Sequence, residues 1–249
     1  MSSVVSKSEQ SRVEILGMPV DRVTMSETMA RLEEFVSSGR PHFVITADAA
    51  GIVQAQSDQD YQLLYRRADL ITPDSAGVLW AAKRLGKPMS ERVSGVDIVD
   101  RVCALSADTG DSIFFLGAAP GVAELAAEKM RLKYPGCNIV GTRNGYFPAE
   151  SDRVVAAEIA ELDPDFLFVA MGIPRQEKFI LDTMPIIKAR VSIGVGGTFD
   201  VFSGKVKRAP VIIQKLKLEW LWRTLQNPSK LSKTKLLPRF VLLVLKQKR

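Results

Sequence analysis

Histidine and cysteine are almost missing from this chain. Its 249 residues include one histidine, His42, and two cysteines, Cys103 and Cys137. A single histidine excludes zinc sites built on paired histidines. Two cysteines fit a reducing, cytosolic compartment better than a disulfide framework. No run approaches the roughly 20 consecutive apolar residues that cross a bilayer. The opening stretch, MSSVVSKSEQSR, has no apolar core of signal-peptide length, which predicts a protein that is not secreted. Residues 1–11 are expected to be disordered. There is no internal repeat and no low-complexity tract. The G-x-G-x-x-G fingerprint is also missing, which argues against a nucleotide-dependent oxidoreductase.

What is present has the balance of a folded protein: 46% hydrophobic and 25% charged residues. The length suits one large domain, or a domain with an appendage. The net charge of +6 conceals a split. Residues 1–203 carry 21 Lys or Arg against 27 Asp or Glu, whereas residues 204–249 carry 13 basic residues and one acid, Glu219. A segment that basic is attracted to polyanions, either nucleic acid or an anionic membrane surface.

Short apolar runs alternate with longer amphipathic ones. Strands are predicted at 13–16, 42–46, 69–71, 112–117, 137–141, 165–171 and 191–195. Helical patterns lie near 24–38, 58–67, 75–85, 95–108, 121–134, 151–162 and 175–183. This order predicts an α/β, Rossmann-like fold, with a mostly parallel sheet covered by helices on both faces. The main domain is expected to span 12–203. A basic, amphipathic, helical C-terminal appendage would follow over 204–249, with the boundary in the turn SGKVKRAP (203–210).

Ligands of doubly wound folds bind at the carboxyl ends of the strands. TAD (46–48), PDSAG (73–77), GAAPG (117–121), NGYF (144–147), MGIPRQE (171–177) and GVGGTFD (194–200) each follow a predicted strand, so these loops would crowd one rim. Within PDSAG, Asp74 reads either as a helix cap or as a carboxylate placed for chemistry. GAAPG precedes a helix, whose free N–H groups suit a diphosphate; the alternative is a tight turn. GVGGTFD offers the same choice, with Asp200 as an acceptor for a ribose hydroxyl or base N–H, or as a cap. Tyr146 could stack on a flat base, against the commoner partly buried loop tyrosine.

Two acid-x-acid triplets resemble metal-holding pairs of nucleotide-sugar enzymes. Asp163 and Asp165 immediately precede a strand, on the wrong edge, and Asp58 and Asp60 read as the capped start of a helix. No metal site is expected, so a diphosphate leaving group would be neutralised by backbone dipoles and Arg or Lys. The tail carries Trp220, Trp222 and leucine-rich segments flanked by lysines. It suits a membrane interface, with a core-packing helix as the alternative. Nucleic-acid binding has less support, because no recognised module accompanies the charge.

Taken together with ERVSGVD (91–97), FFLGAAPG (114–121), GVGGTFDVFSGKVKRAP (194–210) and EWLWRTLQNPSK (219–230), these loops resemble the WecG/TagA/CpsF family of glycosyltransferases over nearly the whole chain. The resemblance implies an inverting, metal-independent transferase with no cofactor. It would move a hexose or N-acetylhexosamine-type sugar from a UDP-sugar to a polyprenyl-diphosphate-linked saccharide during polysaccharide synthesis. The enzyme would sit on the cytoplasmic face of the inner membrane, with the appendage binding membrane and helping to complete the active site. By the same resemblance Asp74 is the general base, and Thr46, Asp48, Arg92 and Gln176 lie around the donor sugar and its phosphates. Gly117, Gly172, Gly196 and Gly197 line the nucleotide, Tyr146 and Asp200 meet uracil, and Arg223 reaches the diphosphate from the appendage. Three departures stand out. Asp48 replaces the family's usual Asn, Ser75 its Gly, and Lys230 and Lys233 its arginines. Because paired carboxylates raise one pKa, Asp48 is a second candidate for the base, and the sugar is left open. The rival readings are an oxidoreductase on the same fold and a non-catalytic membrane- or nucleic-acid-binding module.

Overall fold

The structure, a computed structural model, describes residues 12–207, 209–210, 222 and 236–247. The strands are β1 (Arg12–Ile15), β2 (Met18–Asp21), β3 (His42–Ala47), β4 (Leu70–Pro73), β5 (Ile113–Gly117), β6 (Ile139–Arg143), β7 (Phe166–Ala170) and β8 (Val191–Gly194). The helices are α1 (Met25–Ser37), α2 (Ala49–Ala55), α3 (Gln59–Arg67), α4 (Ala76–Arg84), α5 (Gly95–Thr109), α6 (Val122–Lys133), α7 (Asp152–Ala160), α8 (Arg175–Ile187), α9 (Thr198–Phe202) and α10 (Leu236–Lys246). Strands β3 to β8 form one sheet in the order β4-β3-β8-β7-β5-β6. The pairings from β3 through β6 are parallel. The alternating pattern therefore produces the α/β sheet that it predicts.

The chain packs as two compact units. A sheet unit holds Ser26–Ile45 and Gly95–Val206; a hairpin unit holds Met1–Met25, Thr46–Ser94 and Lys207–Arg249. In the sheet unit, β5, β7 and β8 are buried along their whole length. That is why they read as continuous apolar runs and not as alternating ones. Phe115 is the hub of the core. It stacks on Phe199 of α9 at 4.6 Å between centroids and meets Phe168 of β7 edge-on at 6.0 Å. The single histidine is structural: His42 is buried at the start of β3, stacks on Phe35 at 4.0 Å and shares a 2.9 Å hydrogen bond with Ser38.

The hairpin unit departs from expectation at its start. VEIL reads as one strand, but β1 turns back at once through Leu16 and Gly17, at φ 52° and 76°, into the antiparallel β2. Two successive positive φ values make the tight turn whose twist matches a hairpin. Gln56 and Gln247 clamp this turn. Gln56 Nε2 donates to Leu16 O at 2.8 Å, while Gln247 Oε1 accepts from Leu16 N and its Nε2 donates to Glu14 O, each at 2.9 Å. Asp21, buried at the end of β2, accepts from Arg12 and from Ile71 N at 2.8 Å each. The helix α10 packs in this unit against α2 and α4. Its Phe240 and Val244, one turn apart, are buried, and Phe240 lies 6.5 Å from the Trp80 ring. Among the described residues no helix is long and apolar enough to cross a membrane. The expected disordered N-terminus (1–11) and Trp220, Arg223, Lys230 and Lys233 lie outside the described residues.

Candidate active site

In the hairpin unit, the loops after β3 and β4 are joined by their own backbone. Asp74 N donates to Ala47 O at 2.9 Å, and Val93 N donates to Pro73 O at 2.9 Å. Thr46, Asp48, Asp74 and Arg92, all half-buried, therefore belong to one cluster of chain segments. Each helix that starts here has a side-chain cap. Asp58 Oδ1 accepts from Tyr61 N at 2.9 Å, the capped helix start expected for that acid pair. Asp48 caps α2, with extended backbone (φ −112°, ψ 163°) and Oδ1 only 2.6 Å from Gly51 N. A cap role for Asp74 is corrected by the structure: the N-cap of α4 is Ser75, whose Oγ accepts from Val78 N at 3.3 Å. The same oxygen accepts from Ala49 N at 3.2 Å. Ser75 thus ties the two loops together, and the two departures from the family pattern, at 48 and 75, meet through adjacent residues.

Two tyrosine hydroxyls stand beside the glycine that Asp48 caps. A Cβ placed on Gly51 would stand 3.1 Å from the Tyr61 hydroxyl, 3.2 Å from the Tyr65 hydroxyl and 3.2 Å from Asp48 Oδ1. Both tyrosines are buried. Asp48 is therefore gripped by its own helix, while Asp74 has handed that duty to its neighbour.

In the sheet unit, the loops after β5, β6, β7 and β8 are contiguous. Ala118 N donates to Ala170 O at 2.8 Å, Gly145 N to Ala118 O at 2.9 Å and Val195 N to Val169 O at 2.8 Å. Gln176, 2% exposed, joins two of these loops. Its Oε1 accepts from Gly172 N at 3.1 Å and Gly196 N at 3.0 Å, and its Nε2 donates to Glu177 Oε1 at 2.8 Å. The amide is thus directed at protein partners, and it holds the two glycine turns in register.

The predicted glycines divide by what stands beside them. Gly117, at φ 129°, is a packing glycine: a Cβ there would lie 2.5 Å from the Ala170 carbonyl group. Gly172 and Gly196, at φ 78° and 56°, face open space, with nothing within 4 Å of where a Cβ would be. Gly197 is the N-cap of α9. A capping role for Asp200 is also corrected, because it lies inside α9, where its carbonyl accepts from Val206 N at 2.9 Å. Unlike α2, α3 and α4, α6 and α8 start without a side-chain cap, after Gly121 and Pro174. Their first-turn N–H groups are the orphan donors that every helix start leaves.

The partly buried reading of Tyr146 is corrected as well, because this residue is 75% exposed. The cause is its neighbours. Asn144 Oδ1 accepts from Tyr146 N at 3.0 Å. Phe147 turns inward to meet Phe179 at 6.1 Å, with the Arg143 and Arg175 guanidiniums 5.8 and 5.5 Å from its ring. Arg175 is in turn paired with Asp152 and Arg143 with Glu158. With Phe147 anchored, the adjacent tyrosine projects outward. Asp165 serves the fold and accepts from Ser112 N and Oγ at 2.8 Å each. Among the described residues no group of three or more His, Cys, Asp or Glu is placed to hold a metal ion.

Sequence reasoning did not find Ser75 as the cap, the tyrosine pair beside Gly51 or the Gln176 bridge. Only the first had a local signal, a serine three residues before a helical amide.

Residues 13–249 match the Glycosyl transferase WecG/TagA/CpsF family. An N-acetylglucosaminyldiphosphoundecaprenol N-acetyl-beta-D-mannosaminyltransferase of Bacillus spizizenii is 35% identical over 215 residues, covering 86% of this chain and 83% of its own length. A Staphylococcus aureus (strain MRSA252) protein of the same name is 32% identical over 249 residues, covering 99% of this chain and 97% of its own. The chain belongs to the WecG/TagA/CpsF family of glycosyltransferases.

Proposed function

We propose that this glycosyltransferase moves a hexose or N-acetylhexosamine-type sugar from a UDP-sugar to a polyprenyl-diphosphate-linked saccharide, with inversion and without a metal ion, during cell-envelope polysaccharide synthesis. Support for the lipid-linked acceptor comes from the relatives, whose names specify transfer to N-acetylglucosaminyldiphosphoundecaprenol, at 35% and 32% identity.

Inversion at the sugar needs one carboxylate. As the acceptor hydroxyl oxygen bonds to C1, the bond from C1 to the diphosphate oxygen breaks, the carboxylate takes the hydroxyl proton, and UDP leaves with the electron pair. We assign the proton to Asp74. The observation that carries this assignment is the cap at Ser75, which satisfies the start of α4 and relieves Asp74 of that role. Asp48 has an oxygen bonded to Gly51 N as the cap of α2, and we assign it to positioning.

Arg92 and, from the appendage, Arg223 would oppose the diphosphate charge, with Thr46 near the donor sugar. The uncapped starts of α6 and α8 suit anionic oxygens. Gly172 and Gly196 admit a ligand close to the backbone, Gly197 adjoins them, and Gln176 holds both turns. The outward Tyr146 supplies a face for uracil and Asp200 an acceptor. Gly117 contributes through strand packing. The appendage would keep the enzyme peripheral on the cytoplasmic face of the membrane. On α10, Val241, Leu242 and Leu245 are exposed between the exposed Arg239 and Lys246, a surface suited to lipid headgroups and upper acyl chains.

The test is incubation with a panel of UDP-sugars and lipid-diphosphate acceptors, reading product mass. One sugar should be added to the acceptor in the presence of a chelator. Asp74→Asn should bind UDP as wild type does while turnover falls by about 10²–10⁴. Wild-type turnover in that variant would remove Asp74 from the role.

A further inference from the structure

Helix α10 sits, within the hairpin unit, on the chain segment that follows Asp74. It packs against α2 and α4, and its Phe240 is 1% exposed. Gly77, the second residue of α4, marks what this ring meets. A Cβ placed on Gly77 would stand 3.1 Å from Ala49 Cβ, 3.6 Å from Phe240 Cε1 and 3.7 Å from Ser75 Oγ. Segments far apart in sequence, the starts of α2 and α4 and the aromatic residue of α10, thus converge on one missing side chain. At 3.1 Å a methyl would be closer to Ala49 than the roughly 3.5–4.0 Å at which carbons pack best, so glycine is what lets the segments approach.

Two of the residues gathered here also hold the Asp74 segment. Ser75 Oγ accepts from Ala49 N at 3.2 Å and from Val78 N at 3.3 Å, and Asp74 N donates to Ala47 O at 2.9 Å. These bonds tie residues 47–49 to 74–75, and Phe240 places a buried ring where they end. The ring is itself well held. It lies 6.5 Å from the ring of Trp80, one turn beyond Gly77 on α4. Just past the other end of α10, Gln247 bonds to Leu16 N and Glu14 O at 2.9 Å each.

We propose that Phe240 is a positioning residue for the transfer reaction: seated against Gly77 and Ala49, it fixes the 74–75 segment and with it the direction of the Asp74 carboxylate. The proposal rests on the assignment of the acceptor proton to Asp74. Phe240 acts through Gly77 and Ser75 and not through substrate. Phe240→Ala leaves a space the size of a ring beside the segment. Because a misplacement of about 1 Å at a reacting group can cost about 10²-fold, kcat should fall by about 10–100-fold. UDP affinity should not change, since the glycine loops assigned to the nucleotide belong to the sheet unit.

The test measures kcat at saturating donor with a short-chain prenyl-diphosphate saccharide in solution, so that no membrane is needed, and UDP affinity by calorimetry. All variants are compared in the full chain, well below their unfolding midpoints. Phe240→Ala should lose kcat and keep UDP affinity, and Phe240→Leu, which keeps most of the volume, should recover most of the loss. Val244→Ala thins the same buried face of α10 one turn further along and should lower the midpoint while leaving kcat at the wild-type value. Where Phe240→Ala does not fold, Gly77→Ala decides by the same two readouts, because its methyl meets Ala49. Wild-type kcat in the folded variant, or an equal loss in Val244→Ala, would overturn the positioning role while Asp74→Asn stays inactive. Wild-type turnover in Asp74→Asn would instead remove the base assignment, and the proposal with it.

Discussion

Exchanging Asp48 for Asn and for Ala separates its structural from its chemical contribution. In the wild type its Oδ1 takes the Gly51 N–H at 2.6 Å from an extended N-cap geometry. Asn is as good an N-cap as Asp, so Asp48→Asn should keep the bond and lose only the charge, about 0.5 kcal/mol at a helix start. Asp48→Ala deletes the acceptor and should cost about 1 kcal/mol, within a span of roughly 0.5–2. For a chain of this length that cost lowers Tm by about 2–4 °C. Urea or thermal unfolding should therefore rank the three proteins wild type, Asn, Ala, with the Asn variant close to wild type. Single-turnover transfer to a lipid-diphosphate acceptor then isolates the chemistry. If Asp74 is the base, Asp48→Asn should retain turnover within about tenfold, against the 10²–10⁴ loss expected for Asp74→Asn. An Asp48→Asn protein of wild-type stability whose turnover falls a hundredfold or more, beside an active Asp74→Asn, would refute the assignment and make Asp48 the base.

The glycine loops give two further expectations. Gln176→Ala withdraws one acceptor from two backbone N–H groups and one donor from Glu177. At about 1–3 kcal/mol for each buried group left unsatisfied, partly offset by water at the half-buried glycines, stability should fall by about 2–4 kcal/mol. UDP affinity should weaken in the same variant, measured by calorimetry. A fully stable variant with unchanged affinity would show that the bridge does not organise the loops. Gly117→Ala should cost about 3 kcal/mol or more, since β5 and β7 must part to admit the methyl, whereas Gly172→Ala meets open space and should cost only the left-handed strain of about 1–2 kcal/mol. Equal denaturation midpoints for these two variants would contradict the packing role of Gly117.

The sheet was legible in the sequence because buried parallel strands are continuous apolar runs. IFFLG, FLFVA and VSIG can be read without knowing their partners. The same logic hid β2. Its MPVD carries a proline and follows a Leu-Gly turn that lacks the usual Asn-Gly or Asp-Gly signal, so nothing local announces a hairpin. Helices of five and seven residues, α9 and α2, are too short for a 3.6-residue period to emerge. Long-range bridges were illegible for a different reason: Gln56 and Gln247 reach the Leu16 turn from 40 and 231 residues away.

The question of which residue caps α4 shows where the limit lies. Asp74 and Ser75 are adjacent, both rank among the preferred caps, and the helical pattern resolves its own start to no better than a residue or two. The strand decides. Val93 N on Pro73 O and Asp74 N on Ala47 O keep the chain extended through residue 74, so the first residue free to begin the helix turn is 75. Because β4 stops one residue short of Asp74, its carboxylate stands at the strand end, between the last sheet residue and the cap. In this chain the register of a strand, and not any property of the aspartate, puts the cap at Ser75 and leaves Asp74 outside it.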